Sequence, residues 1–414
     1  MQSVQEYLNK NKVEPVIAEI PTENLGIIIV IPCFNEPALV QTLQSVWECH
    51  KPQADVEVII VINDAETTSK EIKLHNVSTY IVASHWATLH NEKKLHFYPI
   101  YYRNLPSKHA GVGLARKIGM DQAVWRFVKA NNTKGIIVNL DADSLCDRNY
   151  LTAIEHHFLK YPKTPGASIY FEHPVENEPS TGIVQYELHL RYLNQALRFI
   201  GHPHAFHTVG SSFAVRLDAY VKQGGMNKRQ AGEDFYFIQK IIWLGNFTEI
   251  NTTRVIPSSR ISNRVPFGTG AALKKLAEEN ADTLLSYQFL AFLDLAELFR
   301  QKEKFYTSGN SPENVVSTSP ILLQFLKELD FTNEMASIRK NTSVLQSFIN
   351  RFFRWFDAFS VIKFLNYSHS KYYSKKPVSE EALKLLNAIG IHTQPGSSKE
   401  LLEIFRRLDR NGKA

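Results

Sequence analysis

The stretch GIIIVIPCFNEP, residues 26–37, decides the fold of this protein. Residues 27–31 are all β-branched, and such a run is typical of a strand buried on both faces of a parallel sheet. Pro37 suits the first position of a helix, with Asn35 or Glu36 near its cap. The stretch therefore predicts a strand that leads directly into a helix, the repeating unit of an α/β fold.

The same alternation continues to about residue 270. Strands are predicted at 56–62, 135–140 and 210–215, and helices at 114–128, 183–197 and 234–244. Beyond residue 270, apolar residues recur at helical spacing to the C-terminus. We expect an N-terminal extension at 1–24, a Rossmann-like α/β domain with a mixed, mostly parallel sheet at 25–270, and a helical domain at 271–414.

The composition is that of an ordinary globular protein, with 44% hydrophobic residues and a net charge of +6 over 414 residues. This charge excess is compatible with anionic substrates but is too small to indicate nucleic-acid binding. No apolar run approaches the ~20 residues of a spanning helix, and the first residues lack a signal-peptide core. Three cysteines without metal-like spacing favour a reducing compartment. We expect a cytoplasmic protein of bacterial type.

Polar side chains follow three of the predicted strands. They are Asn35 and Glu36, Asn63 and Asp64, and Asp141 and Asp143. Strand ends often carry such residues simply as caps and turns. In α/β sheets, however, ligands bind beyond the carboxyl ends of the strands, so three such ends together predict a binding site.

The chain offers two acidic motifs for chemistry. Asp141 and Asp143 can turn toward one cation, and their hard oxygens suit Mg²⁺ or Mn²⁺ bridging to a diphosphate. Asp-x-Asp alone is a short motif that occurs often by chance. Glu233 and Asp234 open a predicted helix, where they either cap the helix or supply a general base for an acceptor hydroxyl.

In order and spacing, seven segments resemble family 2 glycosyltransferases of the GT-A fold over residues 25–270. They are IPCFNE (31–36), VIND (61–64), GLARKIG (113–119), NLDADS (139–144), GSSFAVR (210–216), GGM (224–226) and GEDF (232–235). The resemblance implies a nucleotide-sugar-binding domain and transfer with inversion, by one in-line displacement without a covalent intermediate. It favours a UDP-sugar donor, with a GDP-sugar as the alternative, and leaves the acceptor open between a glycan, a lipid-linked molecule and a small molecule.

The resemblance also implies roles for individual residues. Pro32, Asn35 and Glu36 would line the nucleotide pocket, with Glu36 near the ribose hydroxyls. Asp64 would bind the base, and Arg116 would approach the base or phosphates. Asp141 and Asp143 would hold the metal, with Asp143 the more direct ligand and Asp141 also near the nucleotide. Asp234 would be the catalytic base, and Glu233 would help to position the acceptor.

Two further segments carry candidate contacts. The stretch SSRISNRVPFGTG, residues 258–270, presents Arg260 and Arg264, either of which suits a diphosphate or an anionic acceptor. A solvated, glycine-rich loop is the alternative. Three histidines within residues 202–207 invite a metal interpretation, but Pro203 weakens it. We expect at most a sugar or acceptor contact from His207, and a third metal ligand is not identified.

Aromatic and basic residues interleave over 348–373. This pattern fits either a peripheral membrane contact or, as we favour, a buried helix whose basic residues reach water.

Three other functions compete with an inverting transferase. A retaining enzyme of the mannosylglycerate-synthase type, acting on a small acid, would share the Asp-x-Asp site. A nucleotidyltransferase would need a Gly-rich, Arg-bearing loop after the first strand, where this chain has PCFNE. A non-catalytic sugar-nucleotide-binding module would not need Asp234.

Overall fold

The computed structural model describes residues 2–175, 181–230, 232–260, 276, 283–307 and 319–411. The chain forms two compact units, one of Met1–Asn177 and Thr208–Ala271, the other of Glu178–His207 and Ala272–Ala414. From Ala272 to the C-terminus the chain belongs to the second unit, and this boundary lies close to the predicted one at residue 270. It also takes the segment 178–207, which we had expected inside the α/β domain.

An eight-stranded sheet is the framework of the first unit. Its strands are β1 (Leu25–Cys33), β2 (Asp55–Ala65), β3 (Leu95–Leu105), β4 (Ile136–Asn139), β5 (Leu145–Cys146), β6 (Gly166–Phe171), β7 (Phe213–Arg216) and β8 (Thr248–Ile256). Their order is β3-β2-β1-β4-β7-β6-β8-β5. The first four run parallel, β7 is antiparallel to both of its neighbours, β6 and β8 are parallel, and β5 is antiparallel to β8. The predicted mixed, mostly parallel sheet is confirmed.

The described residues before 261 form eight helices. They are α1 (Gln2–Asn11), α2 (Leu39–Trp47), α3 (Lys70–His90), α4 (Val112–Lys129), α5 (Tyr150–Lys160), α6 (Thr181–Phe199), α7 (Leu217–Lys222) and α8 (Glu233–Ile242). All but α6 lie in the first unit. The N-terminal extension is not a separate element, since Tyr7 of α1 donates a hydrogen bond to Asp121 of α4 at 2.7 Å.

Strand β1 lies between two parallel neighbours, β2 and β4. Its residues 27–31 are at most 1% exposed, as the β-branched run predicts. Helix α2 begins two residues later than Pro37 suggested. The delay has a local cause, because the Glu36 carboxylate accepts a hydrogen bond from the Ala38 amide at 2.8 Å and Ala38 becomes the cap residue.

The second unit is helical within its described residues, apart from a two-stranded antiparallel sheet, β9 (Leu285–Ser286) and β10 (Lys376–Pro377). Besides α6, its helices are Phe289–Arg300, Lys304–Thr307, Pro320–Glu328, Phe331–Lys340, Leu345–Trp355, Ala358–Lys371, Val378–Ala388 and Ser398–Arg410. Phe348, Phe352, Phe353, Phe356 and Phe364 are buried in it. This burial favours the buried-helix interpretation of residues 348–373. No helix in the described ranges is long and apolar enough to cross a membrane.

Candidate active site

Three strand ends meet at one edge of the sheet. Pro32 of β1 lies beside Val61 of β2, and Val30 lies beside Asn139 of β4. Because all three strands are parallel, the polar residues that follow or end them share this edge. The structure therefore brings the three predicted polar clusters together.

The turn after β1 is held by a residue that sequence reasoning missed. Asn35 has a φ of +50°, a left-handed conformation that asparagine tolerates better than most residues. Its amide donates to the side chain of Asn76 at 2.9 Å, and Asn76 donates in turn to the carbonyl of Asn63 at 3.1 Å. Asn76 is fully buried in α3 and so ties the end of β1 to the end of β2. The only signal in the sequence that could have identified Asn76 is that it is a polar residue in a helix that packs on the sheet.

Glu36 faces a cation from a distant part of the chain. Its carboxylate is 1% exposed and accepts a hydrogen bond from Arg260 at 2.6 Å. The same guanidinium lies 3.6 Å from Asp143. Arg260 thus joins the turn after β1 to the Asp-x-Asp segment. Pro32, the other predicted pocket residue on β1, is buried within the strand.

Asp64 lies inside β2 and is 1% exposed. One carboxylate oxygen accepts from the Tyr101 hydroxyl at 2.5 Å and the other from the Asn104 amide at 2.8 Å. A groove of about 360 Å³ adjoins it, lined by Asp64, Lys70, Lys73, Leu74, Val77, Tyr101, Arg103 and Asn104. The predicted base-binding carboxylate therefore borders a groove, although its own oxygens already have partners.

The Asp-x-Asp segment is a tight turn after β4. The Ser144 amide donates to the Asp141 carbonyl at 3.0 Å, and the Thr42 hydroxyl of α2 donates to the Ala142 carbonyl at 2.8 Å. Ala142 is buried, whereas the side chains of Asp141 and Asp143 are 37% and 25% exposed. The turn thus presents both carboxylates and buries the residue between them.

These carboxylates fit a hard divalent cation in part. Magnesium is commonly held by one or two carboxylates, with waters and substrate phosphates completing its shell. The two carboxylates of the turn match that donor set. Within the described ranges no group of three or more His, Cys, Asp or Glu side chains could hold a metal ion. A third protein ligand is therefore not found there.

Arg116 is placed differently from our expectation. It is 3% exposed, and its guanidinium donates to Asp141 at 2.6 Å and also to Glu233. Its two terminal nitrogens are thus used by protein carboxylates, not directed into an open pocket. Arg116 therefore connects the Asp-x-Asp turn to the start of α8.

Glu233 and Asp234 occupy the first turn of α8, whose cap residue is Gly232 with a φ of +67°. Burial raises the pKa of Glu233 to about 7, although the charge of Arg116 opposes the rise. Burial also raises the pKa of Asp234 above its ordinary value, again against Arg116. Asp234 accepts a hydrogen bond from the Phe235 amide at 2.7 Å. A carboxylate with a raised pKa suits proton abstraction near neutral pH.

The remaining candidates lie elsewhere. His207 belongs to the second unit, where its ring lies 2.9 Å from the Asp409 carboxylate. His202, in the same unit, contacts the Phe356 carbonyl at 3.2 Å. These partners give the histidine cluster a structural role within the helical unit. Arg264 lies outside the described residues.

Comparison with known proteins gives one match to a family of sequences. Residues 28–223 match the sequence model of the family described as glycosyl transferase family 2. No curated protein sequence matches the chain. The match includes the turn after β1, Arg116 and the Asp-x-Asp turn, and it ends before Glu233. Residues 28–223 are therefore similar to the family 2 glycosyltransferase domain, and the chain is a glycosyltransferase.

Among solved structures the chain is similar to S. aureus TarS. With TarS 1–349 in complex with UDP-GlcNAc it shares 13% identity and a TM-score of 0.42, over 80% of this chain and 92% of that one. The complex of the same protein with UDP gives 13% identity, the same coverage and a TM-score of 0.40. A further TarS structure gives 12% identity and a TM-score of 0.37, over 76% of this chain and 55% of that one. Values this low transfer no residue role.

Proposed function

We propose that this protein transfers a sugar from a nucleoside diphosphate donor to an acceptor hydroxyl, with a divalent metal at the Asp-x-Asp turn and Asp234 as the general base. One observation carries the proposal. The carboxylates of Asp141, in the Asp-x-Asp turn, and of Glu233, in the first turn of α8, are ion-paired to the same guanidinium, that of Arg116. Donor-side and acceptor-side groups are therefore close enough to act on one substrate pair.

The donor would bind along the strand edge. The groove at Asp64 would take the nucleobase, and Glu36 would bind the ribose hydroxyls once Arg260 turns toward the diphosphate. Asp143, whose side chain is half-buried, would be the principal metal ligand, with Asp141 beside it. Bound Mg²⁺ or Mn²⁺ would supply positive charge for the departing diphosphate. The family resemblance favours UDP as the nucleoside diphosphate, with uracil as its base.

Asp234 is the better candidate for the base than its neighbour. The carboxylate of Glu233 already accepts a hydrogen bond from Arg116 and is only 2% exposed. Asp234 is half-buried and receives its hydrogen bond from the Phe235 amide. Its raised pKa makes the carboxylate a stronger proton acceptor than an exposed aspartate.

The transfer would then proceed in one displacement. Asp234 takes the proton of the acceptor hydroxyl while that oxygen forms a bond to the anomeric carbon of the donor. The bond from this carbon to the diphosphate oxygen breaks, and the nucleoside diphosphate leaves with the electron pair. Because attack and departure are on opposite faces, the configuration inverts. A retaining transfer to a small acid is the second candidate, favoured by the cationic Arg260 beside the site.

Calorimetric titration of UDP, GDP and their sugar conjugates, with Mn²⁺ and with EDTA, tests the donor site. We expect one nucleotide to bind only with metal, and Asp143→Ala to abolish that binding. Asp218→Ala, at an exposed aspartate of α7, is the matched control and should bind as the wild type does. If no nucleoside diphosphate or nucleotide sugar binds, either with Mn²⁺ or with EDTA, the site is not a donor site. The anomeric configuration of the product, measured by NMR, separates inversion from retention.

A further inference from the structure

The guanidinium of Arg116 holds two carboxylates that come from different parts of the chain. Asp141 follows β4, and Glu233 opens α8, 117 positions beyond Arg116. Arg116 and Glu233 are 3% and 2% exposed. A planar guanidinium can serve two carboxylates at once, whereas the single ammonium of lysine cannot do so in the same geometry.

Two glycines leave the space that this bridge needs. A Cβ at Gly210 would lie 2.5 Å from both terminal nitrogens of Arg116. A Cβ at Gly113 would lie 3.0 Å from the Glu233 Cβ and 2.2 Å from the Arg229 carbonyl oxygen. The backbone therefore packs directly against both halves of the bridge, which restricts the guanidinium to this position.

The bridge has a consequence for each carboxylate. One oxygen of Asp141 is hydrogen-bonded to Arg116, which fixes the orientation of this carboxylate in the turn. Glu233, the residue before the proposed base, cannot move without breaking a buried ion pair. Loss of one partner of such a pair is costly because the other charge remains buried.

We propose that Arg116 is a positioning residue that fixes the Asp-x-Asp turn relative to the first turn of α8, and that it is not a ligand of the nucleotide. This inference rests on the proposed function, since it concerns the distance between the metal site and Asp234. The guanidinium donates to two protein carboxylates, is 3% exposed and packs against Gly210, which limits its access to the base and the phosphates. Misplacement of a reacting group by about 1 Å lowers rates by about 100-fold.

The test separates binding from turnover in Arg116→Gln. Donor affinity is measured by calorimetry with Mn²⁺, and turnover is measured as release of UDP from a UDP-sugar with water as acceptor. We expect kcat to fall about 30- to 100-fold while the donor Kd changes less than about threefold. Arg116→Lys should recover part of kcat. A donor Kd weakened as much as kcat/KM, with kcat intact, would instead make Arg116 a nucleotide ligand.

A second variant guards against misfolding. Arg116→Gln leaves Glu233 buried without its cation, whereas Arg116→Gln combined with Glu233→Gln removes both charges. We expect the double variant to melt closer to the wild type and to have no lower kcat than the single variants. If the two single substitutions lowered kcat by independent factors that multiply in the double variant, the proposed bridge between Arg116 and Glu233 would be refuted. A wild type that neither binds a nucleotide sugar nor releases UDP would refute the proposed function instead, before any variant is compared.

Discussion

The guanidinium of Arg260 donates to the buried carboxylate of Glu36 at 2.6 Å, although the two residues are 224 positions apart. Arg260 follows β8, the last strand but one at one side of the sheet, and Glu36 follows β1, the third strand from the other side. The arginine side chain is 40% exposed but Glu36 is buried, so Arg260 can turn to the diphosphate only if another donor, such as a ribose hydroxyl, binds the carboxylate. A cation thus stands at the proposed donor site, 3.6 Å from Asp143.

Removal of this cation should weaken the donor complex. Arg260→Ala is expected to lower kcat/KM for the nucleotide sugar about 10- to 100-fold, because a charge-assisted contact to the diphosphate is lost. Arg260→Lys should lose less. The matched control is Arg148→Ala, at an arginine that is 76% exposed and 4.0 Å from its nearest acidic partner. Unchanged kinetics in Arg260→Ala would show that Arg260 does not bind the donor.

Asp234→Asn should separate binding from transfer. The amide keeps the shape of the side chain and its hydrogen bond from the Phe235 amide but cannot accept the acceptor proton. We expect donor affinity within about threefold of the wild type and kcat lower by about 100- to 10,000-fold. Calorimetry and a UDP-release assay measure the two quantities. Transfer at the normal rate would remove Asp234 from the role of base.

Gly119→Ala should destabilise the first unit. Helix α4 crosses the sheet so closely that a Cβ at Gly119 would lie 2.4 Å from the Val30 side chain and 3.0 Å from that of Val61. Both valines are fully buried in central strands, so neither can yield without disturbing the sheet. Overpacking of this kind costs about 1–3 kcal/mol.

Thermal or urea unfolding measures this loss. Gly396→Ala is the control, because a Cβ there would meet only the end of the Glu400 side chain at 3.6 Å. Its melting temperature should be that of the wild type. If the two variants were equally stable, α4, the helix that carries Arg116, would not be packed closely on β1 and β2.

Acid should destabilise the first unit through His157. Burial lowers the pKa of His157 to about 4, helped by the nearby charges of His156 and Lys160. The unfolded chain has the ordinary value of 6.5 and therefore binds the proton first as the pH falls. The contribution of neutral His157 to stability is complete above pH 6.5 and is lost progressively as the pH falls toward 4.

The expected loss at pH 5, relative to pH 7, is about 1–2 kcal/mol from this residue. His157→Gln lacks the titration and can keep a hydrogen bond to Thr248, whose hydroxyl lies 2.8 Å from the His157 ring. Its free energy of unfolding should depend less on pH over this range. If the free energy of unfolding changed with pH equally in the wild type and in His157→Gln, the assignment of this loss to His157 would be wrong.

The strand-end argument could be made from residues alone and agrees with the structure. A run of β-branched residues at 27–31 can be stabilised only by burial on both faces, and that demand places β1 at the centre of a parallel sheet. Parallel neighbours must then end at the same edge. Asp64 and the Asp-x-Asp turn reach that edge for this topological reason, whatever the details of packing.

Helix α6 shows where such reasoning stopped. Its apolar residues Ile183, Tyr186, Leu190, Leu193 and Leu197 predicted the buried face, yet the last four are only half-buried. The structure instead fully buries Glu187 and Arg191. These charges are paired by Arg406 and Asp409, more than 200 positions away in the chain. Periodicity cannot anticipate this, because a charged residue is counted as solvent-facing until its partner is known.

The sequence by itself therefore determined the α/β character, the edge at which the candidate site lies and the acidic residues proposed for its chemistry. These features follow from local patterns of burial and from the geometry of parallel strands. Only the tertiary structure decided that Arg116 bridges Asp141 to Glu233 and that Arg260 is hydrogen-bonded to Glu36. It also decided that His207 is paired with Asp409. The reason is that an ion pair needs only a few ångströms between its charges, a distance that folding sets independently of separation along the chain.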